Sequence, residues 1–288
     1  MKNKKFLNLM LLFVIISSVL LSVNLTVGEG NNVADALINN SIRYGSIGYS
    51  ATVIGKSEQE VINYSTKTVT NEAVNPSYPD CYNLNNALQN YCANVGGVNI
   101  INFYDRFYDE LIPDYISGFM RKNNYIYYDM PVNSEKKQAV IDTLYQYMRT
   151  EATSGTTQEW YKKGLQRYVN EKGRQISFTS ILSNNQFDLN KFSAQIKLGR
   201  PVTLYVTNFN ITSVVNYDNE TTLYKSIFDG SHIMIAYGYQ KVDYYNENGG
   251  LITSKIYLKV STGISMASGV YVVNNNGSLN DAEAVLIY

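Results

Sequence analysis

Two side chains in this 288-residue sequence combine scarcity with a suggestive position. Cys92 begins a segment whose next residues, Ala93-Asn94-Val95-Gly96-Gly97, are small and mostly apolar. Unpaired amides at a helix N-terminus stabilise negative charge, so a thiol placed there gains thiolate character and nucleophilicity. His232 is the only histidine, and it opens the run Ile233-Met234-Ile235-Ala236-Tyr237 directly after Asp229-Gly230-Ser231. An imidazole at the head of a buried strand can face a helix terminus packed across it, take the thiol proton and return it to a leaving group. Each residue also has a plainer reading: Cys92 as a buried thiol or as half of a disulfide with Cys81, and His232 as a structural strand residue.

The elements that must position this pair are legible from periodicity. Val95, Val98, Ile101, Phe103, Phe107 and Leu111 recur at helical spacing and predict a helix from Cys92 to about Leu111, ended by Pro113. Gly96 and Gly97 each weaken that helix by roughly 1 kcal/mol relative to Ala, which predicts a close neighbour on that face, such as a strand. Further helices are expected over Ser134 to Glu151, after a capping box at Thr156 and Glu159 with Gly173 as its stop, and after Asp188 with Gly199-Arg200-Pro201 as its stop. Beyond Pro201 the period becomes two, predicting strands at Val202–Phe209, His232–Tyr244, Leu251–Ser261, Val270–Val273 and Ala284–Tyr288. Asn246-Glu247-Asn248-Gly249-Gly250 reads as a hairpin loop, making its two strands antiparallel. Helices followed by an antiparallel sheet define an α+β class.

With these elements in place, several stretches resemble a known family. They are Cys92 to Arg106, Leu111-Ile112-Pro113-Asp114-Tyr115, Gly199-Arg200-Pro201-Val202 and Ser231 to Tyr239. Together they are similar to papain-like bacterial cysteine peptidases, in the branch similar to double-glycine leader (bacteriocin-processing) peptidases, over roughly residues 80 to 288. The resemblance implies a papain-like fold: an N-terminal helical part carries the Cys helix, and an antiparallel β-sheet follows with the His. It implies a peptide or protein substrate, no cofactor and hydrolysis through an acyl-enzyme, with Cys92 as nucleophile and His232 as base. The oxyanion donor of such peptidases falls on Asn86, six residues before the Cys, with Gln89 as the other candidate. Where they carry an Asn or Asp to fix the imidazole tautomer, this chain reads Tyr257-Leu258-Lys259-Val260-Ser261-Thr262, so Ser261 takes that place and brings no charge. A catalytically silent binding module and an acyltransferase using the same dyad are the alternatives on the same fold.

Composition narrows the remaining classes. One His and two Cys cannot build a four-ligand zinc site, and 24 Lys+Arg against 24 Asp+Glu leave no net field to hold a nucleic-acid backbone. Lys2, Lys4 and Lys5 ahead of the apolar run Phe6 to Val23 form a secretory signal pattern, with Thr26 and Gly28 small enough to flank a cut near residue 28. Cleavage leaves a secreted chain with no membrane attachment; an uncleaved segment makes it a surface protein. Residues 29–78 read as an extension with some strand content, a structured lead-in or a propeptide that covers the site, and 79–288 as the main domain. Asp105, Asp109 and Glu110 around Arg106 read as a solvated or salt-bridged helix face rather than a glycosidase pair. Tyr125, Tyr127, Tyr128, Tyr244 and Tyr245 are candidates to line a groove, although 26 Tyr make such clusters expected from composition alone.

Overall fold

Helix α1, Cys92–Asp105, has no solvent face: every one of its 14 residues is buried. In the computed structural model, which describes residues 43–44, 58–73, 90–115, 120–122, 125–127, 131–263, 269–273 and 278–288, α1 lies between helices and a large antiparallel sheet. The apolar run at 6–23, and Cys81, Asn86, Gln89 and Tyr128, lie outside the described residues. The other helices are α2 at Pro131–Tyr147, α3 at Gln158–Glu171 and α4 at Leu189–Lys197.

The two glycines of α1 mark its two crowded faces. A β-carbon on Gly96 would come within 3.1 Å of Ile233 and 3.6 Å of Ile235, while one on Gly97 would come within 2.9 Å of both Leu144 and Met148. The sheet packs on one side and α2 on the other, so the helix trades intrinsic propensity for close approach. Its polar side chains are met rather than excluded: Asn94 donates to the Thr150 hydroxyl at 3.0 Å and Asn99 to the Ser261 hydroxyl at 2.8 Å.

The helix ends follow local chemistry. Pro131 opens α2, where its missing N–H costs nothing. Thr157, one residue later than expected, caps α3 by accepting from the Trp160 amide at 3.2 Å, while Thr156 turns its hydroxyl to the Met148 carbonyl. Gly173 follows α3 at φ 77°. Asp188 caps α4 through the Asn190 and Lys191 amides at 2.9 and 3.1 Å. The α1 helix stops at Asp105, short of the expected Leu111, which leaves Phe107 57% exposed outside the core stripe assigned to it.

The strands in chain order are β1 Arg43–Tyr44, β2 Glu58–Asn63, β3 Thr66–Ala73, β4 Met120–Lys122, β5 Tyr125–Tyr127, β6 Thr156–Thr157, β7 Ile176–Ser180, β8 Leu182–Ser183, β9 Gln186–Phe187, β10 Val202–Asn216, β11 Glu220–Tyr245, β12 Leu251–Ser261, β13 Val270–Val273 and β14 Leu279–Ile287. The main sheet runs β2-β11-β12-β13-β10-β14-β7, and β10 also pairs with β11, so β10, β11, β12 and β13 close a ring. A second core of Ile62, Tyr64, Leu223, Val242, Tyr244, Tyr257 and Val272 packs together on these strands, with the Tyr244 and Tyr257 hydroxyls 2.9 Å apart. Tyr244 is therefore a core residue and not part of a groove.

Strand β11 corrects one expectation. Asp229-Gly230-Ser231, read as a turn from which His232 opens a strand, is instead carried inside a 26-residue strand as an irregularity. The register shifts between Thr207 and Phe209 on β10, where Asn208 takes φ 50°, and the Gly230 amide, at φ 92°, donates to the Asn208 side chain at 3.0 Å. A matching irregularity on the partner strand absorbs the turn-prone residues, and the sheet bends instead of stopping.

Residues 58–73, read as part of an extension, supply β2 and β3. They pair with the two ends of β11, Glu220–Lys225 and Gly238–Tyr245. Tyr64 donates to the Asn219 carbonyl and Ser65 to the Tyr245 carbonyl, which draws those ends together. Glu60 joins Lys225 at 2.8 Å and Lys255 at 2.6 Å; burial alone would raise its pKa, and the two ammonium groups hold it below the usual carboxylate value.

Asp105 is likewise not a solvated residue. It is 1% exposed and accepts the Ile112 amide at 2.8 Å, fixing the chain where α1 ends, while Glu110 pairs with Arg174 outside. Burial, reinforced by Asp109 and Glu110, pushes its carboxyl up to about 7. A raised folded-state pKa means stabilisation that is complete below the unfolded value near 3.8 and is lost as pH rises through about 7. Asp105→Asn keeps the acceptor and removes the charge. Denaturant titrations should show it more stable than the wild type by about 1 to 2 kcal/mol near pH 8, with the difference vanishing near pH 4.

Candidate active site

Cys92 is a free thiol, 2% exposed, at the first residue of α1. No side chain caps this helix, and the Cys92 and Ala93 amides are turned to the Cys92 sulfur instead. A third amide reaches it from the sheet, that of Ile233. Burial pushes the thiol up to about 12, with the three amides opposing the rise, so in this closed arrangement the sulfur is protonated.

The Ile233 contact sets the sulfur beside the strand residue that follows His232. The His232 ring is 1% exposed, and its Nε2 lies 2.7 Å from the Thr262 carbonyl oxygen. A carbonyl only accepts, so Nε2 carries the proton and the neutral ring presents an unprotonated Nδ1. That Nδ1 is buried and has no hydrogen-bond partner among the described residues. Burial pushes the imidazole down to about 4, and the Thr262 carbonyl opposes the shift. The ring stacks on Phe209 at 5.2 Å and 12°, and Phe209 stacks in turn on Phe228 at 5.1 Å and 8°. The bend in β10 and β11 around Asn208 and Gly230 separates the Phe209–Phe228 pair from the Val206–His232 pair.

The structure thus brings Cys92 and the His232 strand together. The imidazole's acceptor is the main-chain oxygen of Thr262, whereas the Ser261 hydroxyl accepts from Asn99. Sequence reasoning did not find Thr262, Phe209, Asn99 or Tyr161. Tyr161 is fully buried on α3, shares a hydrogen bond with Thr203 at 3.1 Å and lies within the electrostatic reach of Cys92. A backbone acceptor and a stacking phenyl ring leave no residue-type signature, and Asn99 shows only as a polar residue in an apolar helix. Among the described residues no group of three His, Cys, Asp or Glu could hold a metal, and no helix is long and apolar enough to cross a membrane. No protein-family model matches the chain, and no curated protein matches it either.

The single histidine allows a direct check. Its ring proton resonances should titrate near pH 4 rather than near 6.5, because protonation must occur in a desolvated site. A folded-state titration midpoint near the ordinary value would show that water reaches the ring freely.

Proposed function

We propose that this protein is a secreted papain-like cysteine peptidase, hydrolysing peptide bonds of a peptide or protein substrate through Cys92 and His232 and needing no cofactor. The observation that carries the reading is that two buried features lie on elements that touch at the Ile233 amide. These are a thiol at an uncapped helix start and, on the strand whose Ile233 amide reaches that sulfur, an imidazole whose Nε2 is committed to a carbonyl, leaving Nδ1 as a base. The order of elements, with the Cys helix before an antiparallel sheet that carries the His, supports the family resemblance drawn from Cys92 to Arg106 and Ser231 to Tyr239. Secretion follows from the signal pattern at residues 2–28.

In this mechanism the Cys92 sulfur attacks the carbonyl carbon while its proton passes to His232 Nδ1. The imidazolium then protonates the leaving amine, and an acyl thioester remains. Water, deprotonated by the same nitrogen, attacks the thioester; the acid leaves and the thiol recovers its proton. The Cys92 amide, with Asn86 or Gln89, would hold the oxyanion. Because the buried pair is neutral, the proton moves as the carbon–sulfur bond forms, and substrate must enter before the pair can react.

The depth of burial favours a second reading, a binding module that keeps the fold without turnover. An epoxysuccinyl peptide separates the two. Under reducing conditions it should label Cys92 in the secreted chain, and His232→Ala should slow labelling by about 100-fold, the usual size of a general-base contribution. Equal labelling of both proteins, or none at Cys92, leaves the silent module as the surviving account.

A further inference from the structure

We infer that the main chain at Thr262–Gly263 takes the orienting role for His232, and that Gly263 and the Asn99–Ser261 hydrogen bond are positioning groups that aim the Thr262 carbonyl at the ring. Its catalytic consequence rests on the dyad reading above; the orientation itself does not.

Three independent contacts fix that carbonyl. Ser261, the last residue of β12, is in register with Ile235 on β11, so the strand end is held beside the His232 strand. The Asn99 side chain donates to the Ser261 hydroxyl at 2.8 Å, and both residues are 1% exposed. Gly263 then takes φ 66°, a conformation that residues with a β-carbon adopt only at a cost, and a β-carbon there would lie 3.0 Å from Val95. Val95 and Asn99 are four residues apart on α1, so one face of the helix that carries Cys92 also clamps the chain that holds the imidazole. The thiol and the ring's acceptor are therefore referred to a single rigid element.

The chemistry differs from that of a carboxylate partner. A carbonyl accepts from Nε2–H and selects the tautomer with a free Nδ1, yet it brings only a partial charge to support the imidazolium. It also cannot titrate, so the orienting group is intact at any pH at which the fold survives.

The test is nitrogen NMR of the full chain labelled at histidine, where His232 gives the only ring signals. At about pH 7 the neutral ring should show Nε2 protonated and Nδ1 bare. Asn99→Ala and Gly263→Val should each move it toward a mixture of tautomers in protein whose amide spectrum remains folded, whereas Ser261→Thr, which keeps the hydroxyl, should not. Asn99→Ala should also slow labelling of Cys92 on the order of tenfold to a hundredfold. If Gly263→Val fails to fold, Asn99→Ala alone decides. A wild-type ring protonated on Nδ1, or a folded Asn99→Ala protein with an unchanged tautomer, overturns the inference. The expected tautomer with no labelling of Cys92 in any protein would instead overturn the peptidase reading and leave this one standing.

Discussion

The rest of the structure depends on burying α1 completely. A helix with no wet face needs apolar neighbours all around it, and this one obtains them from the sheet at Gly96 and from α2 and α3 at Gly97. Leaving its first turn without a side-chain cap directs the free amides to the Cys92 sulfur. The same close approach that satisfies the hydrophobic requirement therefore brings a thiol against β11 at Ile233, one residue from the imidazole. Packing and chemistry share one set of contacts.

The sheet meets the reciprocal demand. A 26-residue strand cannot remain flat, and β11 bends at Gly230 while its ends are tied through β2, β3 and the Glu60 ion pairs. The second core, to which β2, β11, β12 and β13 contribute, packs against β11 at Leu223 on one side of the irregularity and at Val242 and Tyr244 on the other. Residues 58–73 belong to this device, because they pair with both ends of β11. Helix and strand meet where the Ile233 amide reaches the Cys92 sulfur, and the Thr262 carbonyl orients the imidazole one residue earlier on that strand.

Much of this was legible in the sequence. Helix periodicity, the Asp188 cap, the glycine stops and the hairpin at Asn246–Gly250 follow local rules, and the structure agrees with them to within a few residues apart from the early end of α1. Gly96 and Gly97, costly in a helix, mark the two faces where the sheet and α2 approach closely. What was not legible depends on long-range pairing. Asp229-Gly230-Ser231 has turn chemistry, and only Asn208 on the partner strand explains why the strand continues. Asp105 looks solvated among acidic neighbours, and only the return of the chain to Ile112 buries it. Thr262 acts through its backbone, which no residue type can advertise.

Acyl transfer to Cys92 is tested most directly by a mass spectrum taken during the first turnover of an activated peptidyl ester. An acyl increment should form on the peptide containing Cys92 and then decay by hydrolysis, be absent in Cys92→Ala and form about 100-fold more slowly in His232→Ala. An increment on another residue, or one on Cys92 that forms at the same rate without His232, would contradict the dyad.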